Sequence, residues 1–173
     1  MNRRKIRDIL RMFGAIAFSW LYIPHLGIYA MGGNKNFIKS DLDALRSQVS
    51  IDGLPYWLLL LDMLHNNRYY RVLFYHRIGV VASTLISWYR PGDRYFRIRK
   101  GMDIGEGMWI AHPYSTILNA ESIGKNFRCI HCTTLGGGKN GIPTIGDNVS
   151  LGANVVIIGG VKIGNNVTIG AGS

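Results

Sequence analysis

Aliphatic residues recur every six positions toward the end of the chain, at Ile145, Leu151, Ile157, Ile163 and Ile169. Glycine follows four of them directly (Gly146, Gly152, Gly164, Gly170), and valine recurs at Val149, Val155, Val161 and Val167. The same step runs upstream through Ile104 and Ile110. It resumes, one inserted residue later, at Ile117, Ile123, Cys129 and Leu135. A helix repeats every 3.6 residues and a strand every two, so neither by itself needs a step of six. A triangular solenoid does: three short strands per coil, small or polar residues at the corners, aliphatic side chains stacked inside. Eleven hexads predict a mainly β domain of about four coils over residues 101–173.

The earlier residues read as helical. Ser40 with Asp43 three positions on has the form of an N-cap opening a helix to about Ser50. Leu54–Leu64 is apolar but for Asp62 and too short to span a bilayer. Tyr70, Leu73, Phe74 and Arg77 stand at helical spacing and read as core, and His76 as structural. Residues 1–35 form a distinct basic and apolar segment, and residues 36–100 a helical region. Twenty residues from Met12 to Met31 carry no charge and follow Arg3, Arg4, Lys5, Arg7 and Arg11. As one helix they would rise about 30 Å, a bilayer core, but Pro24, His25 and Gly27 interrupt the second half. Three readings stay open: a spanning helix with a cytoplasmic basic end, an interfacial helix over 12–23 on anionic lipid, and a buried helix. No small-x-small cleavage site follows the run, which argues against a signal peptide.

Charge divides the chain in the same way. Its net charge of +10 lies wholly within residues 1–100, which hold 16 basic and 6 acidic side chains; residues 101–173 hold 4 of each. That excess calls for an anionic partner such as a membrane surface. No zinc-finger spacing or RNP-like motif is present, so nucleic acid is not expected. A 47% hydrophobic content excludes a disordered chain. Two cysteines in 173 residues exclude a disulfide scaffold and point to a reducing, cytoplasmic setting. They form the C-x-x-C of Cys129–Cys132, but with no second pair no metal site is expected.

Two histidines lie in the repeat. His112 is two positions after Ile110 and His131 two after Cys129, so they are expected at the same place on successive coils, ~4.8 Å apart. Neither is at an inward position. Neutral imidazole is the natural base for taking a hydroxyl proton near pH 7.

The motifs Asp103–Gly107, Ala111–His112–Pro113, Ile123–Asn126 and Thr133–Gly137, behind a helical region ending in an LFYxRIG-like segment, resemble the hexapeptide-repeat acyltransferases. The likeness is to their serine acetyltransferase and polysaccharide O-acetyltransferase branch, over residues 36–173. The resemblance implies a left-handed parallel β-helix, acetyl-CoA as acyl donor and a homotrimer with the acyl site between neighbouring prisms. It implies His112 as catalytic base and His131 as a second catalytic position. It also implies acyl-CoA contacts at Gly137 and Gly138 and along Ala153 and Ala171. Three positions depart from the serine acetyltransferase pattern. Ala111 stands for the Asp that holds serine, Arg97 for the Asp that orients the histidine, and Ile142 for a loop histidine. Asp103 or Glu121 then becomes the expected partner of His112. The missing carboxylate favours the hydroxyl of a surface-polysaccharide sugar as acceptor, with L-serine as the alternative. A catalytically weak structural trimer at the membrane is the further alternative. The repeat breaks off at Ser173 inside a hexad, so the domain is expected to be short at its C-terminus.

Overall fold

The computed structural model describes residues 3–173. The first two residues of the basic segment lie outside the described residues. The chain forms two compact units, residues 1–92 and 93–173.

The first unit is helical: α1 (Arg3–Ala17), a 3-10 turn (Ser19–Tyr22), α2 (Ile23–Met31), α3 (Lys35–Leu45), a second 3-10 turn (Arg46–Gln48), α4 (Tyr56–Asn66), α5 (Arg68–Ile78) and α6 (Val80–Ile86). Residues 3–31 are not set apart at residue 35. Ala15, Tyr22 and His25 are fully buried with Leu42, Leu59, Leu60, Leu73 and Phe74 in one core. The 12–31 run is not one helix either. It breaks after Ala17, the two halves meet at a 72° bend, and no single described helix is long and apolar enough to cross a membrane. Pro24 causes no break, because it sits in the first turn of α2, where its missing N–H is not needed. Ser40 lies inside α3 rather than capping it. The buried stripe Ile38, Asp41, Leu42, Leu45 starts before Ser40 and carries the helix back to Lys35. Tyr70, Leu73, Phe74 and Arg77 are buried, as their spacing predicts. Arg77 meets Asp41 through two parallel bonds of 2.8 and 3.0 Å, both side chains almost wholly buried.

The second unit is a parallel β-solenoid. Its strands are β1 (Phe96–Ile98), β2 (Asp103–Ile104), β3 (Trp109–Ile110), β4 (Thr116–Leu118), β5 (Ser122–Ile123), β6 (Arg128–Cys129), β7 (Thr134–Gly136), β8 (Thr144–Ile145), β9 (Ser150–Leu151), β10 (Val156–Ile158), β11 (Lys162–Ile163) and β12 (Thr168–Ile169). They stack as three four-stranded sheets, β1-β4-β7-β10, β2-β5-β8-β11 and β3-β6-β9-β12. Strand β1 belongs here, so the boundary falls at Gly92–Asp93 and not at residue 100. Leu151 pairs with Ile169 and Ile145 with Ile163, one three-strand coil apart. The core is the column of hexad aliphatics, with Phe127, Val149 and Val155 fully buried between them.

Corners are held by left-handed residues. Asn126, Asn148 and Asn166 have φ of 54°, 55° and 58°, a region asparagine tolerates better than most side chains. Their amides form a ladder, Asn126 Nδ2 donating to Asn148 Oδ1 and Asn148 Nδ2 to Asn166 Oδ1, each at 2.9 Å.

One hexad assignment changes. Leu118, not Ile117, pairs with Leu135 and is buried, while Ile117 is 45% exposed. A one-residue slip in a strand exchanges its faces. The chain places two extra residues before Thr116 and one fewer after Leu118.

Candidate active site

The two extra residues make the site. Leaving β3, the chain turns through Ala111–His112–Pro113–Tyr114–Ser115 into β4. One coil on, it runs from β6 to Thr133, the register match of Thr116, through only Ile130–His131–Cys132. Ala111 N donates to Cys129 O (3.3 Å), and the Tyr114 N–H turns back onto His112 O (2.6 Å). His112 is exposed with φ 48°, on a short protruding turn anchored by buried Pro113.

Below that turn runs a column of matching positions. Cys132 N donates to Tyr114 O (2.8 Å), Asn154 N to His131 O (3.0 Å), and Gly172 N to Ala153 O (2.9 Å). Tyr114, His131, Ala153 and Ala171 therefore occupy one corner on successive coils. His112 and His131 share this corner, but the register partner of His131 is Tyr114; His112 projects from the insertion beside it. Sequence reasoning missed Tyr114 and Tyr95, whose rings lie 5.4 Å apart and are each about half exposed. The signal was present in the shared Thr-x-Leu of Thr116–Leu118 and Thr133–Leu135, whose buried threonines fix the offset. The Thr133 N–H donates to Thr116 Oγ1 (3.3 Å).

Gly137 and Gly138 fall at a different corner, between the first and second sheets. There Gly138 and Gly141 close a hairpin, exchanging N–H···O bonds of 2.8 and 3.2 Å, with Lys139 and Asn140 at its exposed tip. The hairpin lies on the next coil so closely that a Cβ on Gly160 would strike the Asn140 carbonyl. Glu121 is at this corner too, its N–H bonded to Pro143 O (2.8 Å), and Asp103 pairs with the neighbouring Ser122. Neither carboxylate shares the His112 corner. Arg97 lies on the outer face of the first sheet opposite Ile117, its Nε donating to Arg94 O (3.4 Å). Ile142 packs beside Gly137. Cys129 points into the solenoid core, where burial pushes its thiol up to about 12, so it is an inert apolar filler.

A three-sheet solenoid built on a six-residue step, with a histidine turn beside a corner column, defines the class of fold: a hexapeptide-repeat solenoid. A bacterial transferase hexapeptide (six repeats) family model matches residues 142–173. Within that class the chain is similar to serine acetyltransferases. It is 34% identical to that of Staphylococcus aureus over 105 residues, covering 57% of this chain and 49% of the relative. It is 34% identical to that of Staphylococcus epidermidis over 121 residues, covering 66% and 52%. The soybean serine acetyltransferase apoenzyme superposes with a TM-score of 0.63 at 27% identity, over 84% of this chain and 63% of that one. The chain spans about half the length of the curated relatives it matches.

Proposed function

We propose that this protein is an acetyl-CoA-dependent O-acetyltransferase with L-serine as its acceptor. The observation that supports the reading is the corner column, in which His131 is in line with the small residues Ala153 and Ala171, with His112 on the inserted turn beside it. The similarity to serine acetyltransferases supports serine better than it supports the polysaccharide sugar that the Ala111 departure favours.

In this reading the pantetheine arm of acetyl-CoA lies along the corner, where alanine and glycine leave room beside the coils. His112 accepts the proton of the acceptor hydroxyl as its oxygen attacks the thioester carbonyl. The new C–O bond forms, the C–S bond breaks, and the coenzyme leaves as a thiol after taking up a proton. Imidazole suits both halves, as base and then as acid. His131, one coil below, contacts the acyl group or the acceptor.

A homotrimer completes the site. Support comes from the outer face of the first sheet, where Ile117, Val156 and Ile158 are each about half exposed and suited to packing prism against prism. The Gly137–Gly138 hairpin, set at another corner, then serves the column of a neighbouring copy.

A second reading, a sugar hydroxyl as acceptor, rests on Ala111, which provides no carboxylate for the serine ammonium. The experiment is thiol release from acetyl-CoA by the purified chain, with L-serine beside a panel of sugars. Serine turnover that disappears in His112→Ala supports the proposal. Turnover with sugars alone moves the acceptor to the second reading, and no thiol release with any acceptor overturns the enzyme reading in favour of a scaffold.

A further inference from the structure

Helix α1 is apolar on two opposite sides, and only one of them is used by the fold. Asp8, Met12 and Ala15, spaced i, i+4, i+7, are buried where α1 packs on α4. That side is pinned by charge: Arg11 reaches Asp8 at 3.7 Å and the buried Asp62 of α4 at 3.4 Å, and the Ser50 N–H donates to Asp8 Oδ2 (2.9 Å). Ile6, Leu10 and Phe13 repeat the same spacing two residues earlier. At 3.6 residues per turn they fall within about 60° of one another and about 200° away from the buried seam. Leu10 and Phe13 are each 66% exposed, and the apolar surface continues past the helix end through Trp20 at 64% and Ile23 at 66%.

The charges around this ridge are all of one sign. Arg3 flanks it on one side and Lys5 on the other, both exposed, and Arg7 stays 63% exposed while its Nε meets Asp8. The only acidic side chain of α1, Asp8, is turned to the inside. Across residues 3–92, three of the five carboxylates, Asp8, Asp41 and Asp62, are likewise buried, so the solvent sees mainly the cations. An exposed apolar ridge with aromatic residues, bordered by Arg and Lys and lacking exposed carboxylate, is complementary to one kind of surface: apolar below and anionic at the headgroups.

We propose that the Ile6–Leu10–Phe13 ridge of α1, with Trp20, docks this protein in the interface of an anionic lipid bilayer. The helix lies in the plane of the membrane with its Asp8–Met12–Ala15 side still packed on α4. The first unit thus keeps its core while bound, and no part of it has to cross the bilayer. The acetyltransferase reading plays no part in this argument.

The test is co-sedimentation of the full chain with phosphatidylcholine vesicles with and without phosphatidylglycerol. Binding to the phosphatidylglycerol vesicles, weakened by salt, is expected. Each flanking cation contributes roughly a factor of five near an anionic surface, so Arg3→Gln with Lys5→Gln should lower the partition coefficient about 25-fold. Leu10→Glu and Phe13→Glu should abolish binding. All four positions point to solvent, and an unchanged far-ultraviolet spectrum and thermal transition verify the fold. Equal binding to vesicles without phosphatidylglycerol overturns the proposal, as does no binding to either. So does a self-association of the chain that Leu10→Glu dissolves, because the ridge would then belong to a second copy.

Discussion

Tyr114 and His131 occupy the same position on adjacent coils, each offering its carbonyl to the amide one coil and one residue further on. The aromatic ring of one and the imidazole of the other therefore line a single corner, and the protruding His112 turn closes its upper end. In the proposed reaction the base is His112, on a short turn that carries buried Pro113. The wall beneath consists of residues whose positions are set by the ladder rather than by flexible loops.

His112→Ala should lower kcat by roughly 10²–10⁴ with the true acceptor, the usual contribution of a positioned general base. Because His112 is exposed and its side chain fills no part of the core, the melting temperature should stay unchanged. A variant that keeps full turnover would remove His112 from the mechanism and leave the acid–base step to His131.

The period of six was enough to predict the solenoid, its number of coils and the faces of nearly all its strands. It misplaced Ile117 because an insertion of two residues and a deletion of one, five residues apart, look from outside like a single added residue. Only strand alternation, with Thr116 and Leu118 inward and Ile117 outward, separates the two. The helical unit was less legible. A local capping pattern at Ser40 lost to tertiary packing, since burial of Ile38 upstream outweighs one side-chain cap. The break at Phe18 carries no proline or glycine of its own. It follows from folding one apolar run back into a compact core.

The Asp41–Arg77 pair should be the most sensitive polar contact of the helical unit. Both groups are desolvated, and the guanidinium also lies 5.2 Å from the centre of the Phe37 ring. Removing one partner strips the other buried charge of this ion pair, which typically costs ~3–5 kcal/mol. Asp41→Ala should therefore shift the urea midpoint of helix unfolding sharply. Asp41→Leu combined with Arg77→Met, which removes both charges, should cost clearly less. Equal losses for the single and the double variant would show that packing, and not charge, sets the effect.

Asn148 tests how the corners are held. It combines φ of 55° with two amide bonds, one to Asn126 and one to Asn166. Asn148→Ala loses both bonds and strains the left-handed backbone, about 1–2 kcal/mol per residue for the backbone alone. Asn148→Gly loses the bonds but relieves the backbone, so it should be the milder of the two in thermal unfolding. If alanine is tolerated as well as glycine, backbone conformation is not what selects asparagine here.

The helical unit should lose stability below neutral pH through His25. Its ring is fully buried, with Nε2 3.0 Å from the Tyr75 hydroxyl and Nδ1 3.4 Å from that of Tyr89. Tyr75 gives its proton to the Arg90 carbonyl at 2.5 Å, so it accepts from His25 Nε2–H, while Tyr89 gives its own proton to the Leu21 carbonyl at 2.9 Å. Burial first, then the positive charges of Arg71 and Arg90, pulls the imidazole down to about 4. His65 is shifted in the same direction, by burial and then by Arg90 and Arg71. Between the unfolded value of ~6.5 and this folded value, the unfolded chain binds a proton that the native chain refuses, so stability falls as pH falls. About 2.5 units at ~1.4 kcal/mol each gives a loss of about 3 kcal/mol from His25 by pH 4, with more than half of it already present at pH 5. Asp62, raised by burial against the opposing charge of Arg11, acts with the opposite sign, but only as pH approaches the carboxylate range. Urea unfolding of the helical signal at pH 7, 6 and 5 measures the slope. A midpoint that does not move across that interval would mean that His25 titrates normally and that the buried Tyr75–His25–Tyr89 cluster opens to water.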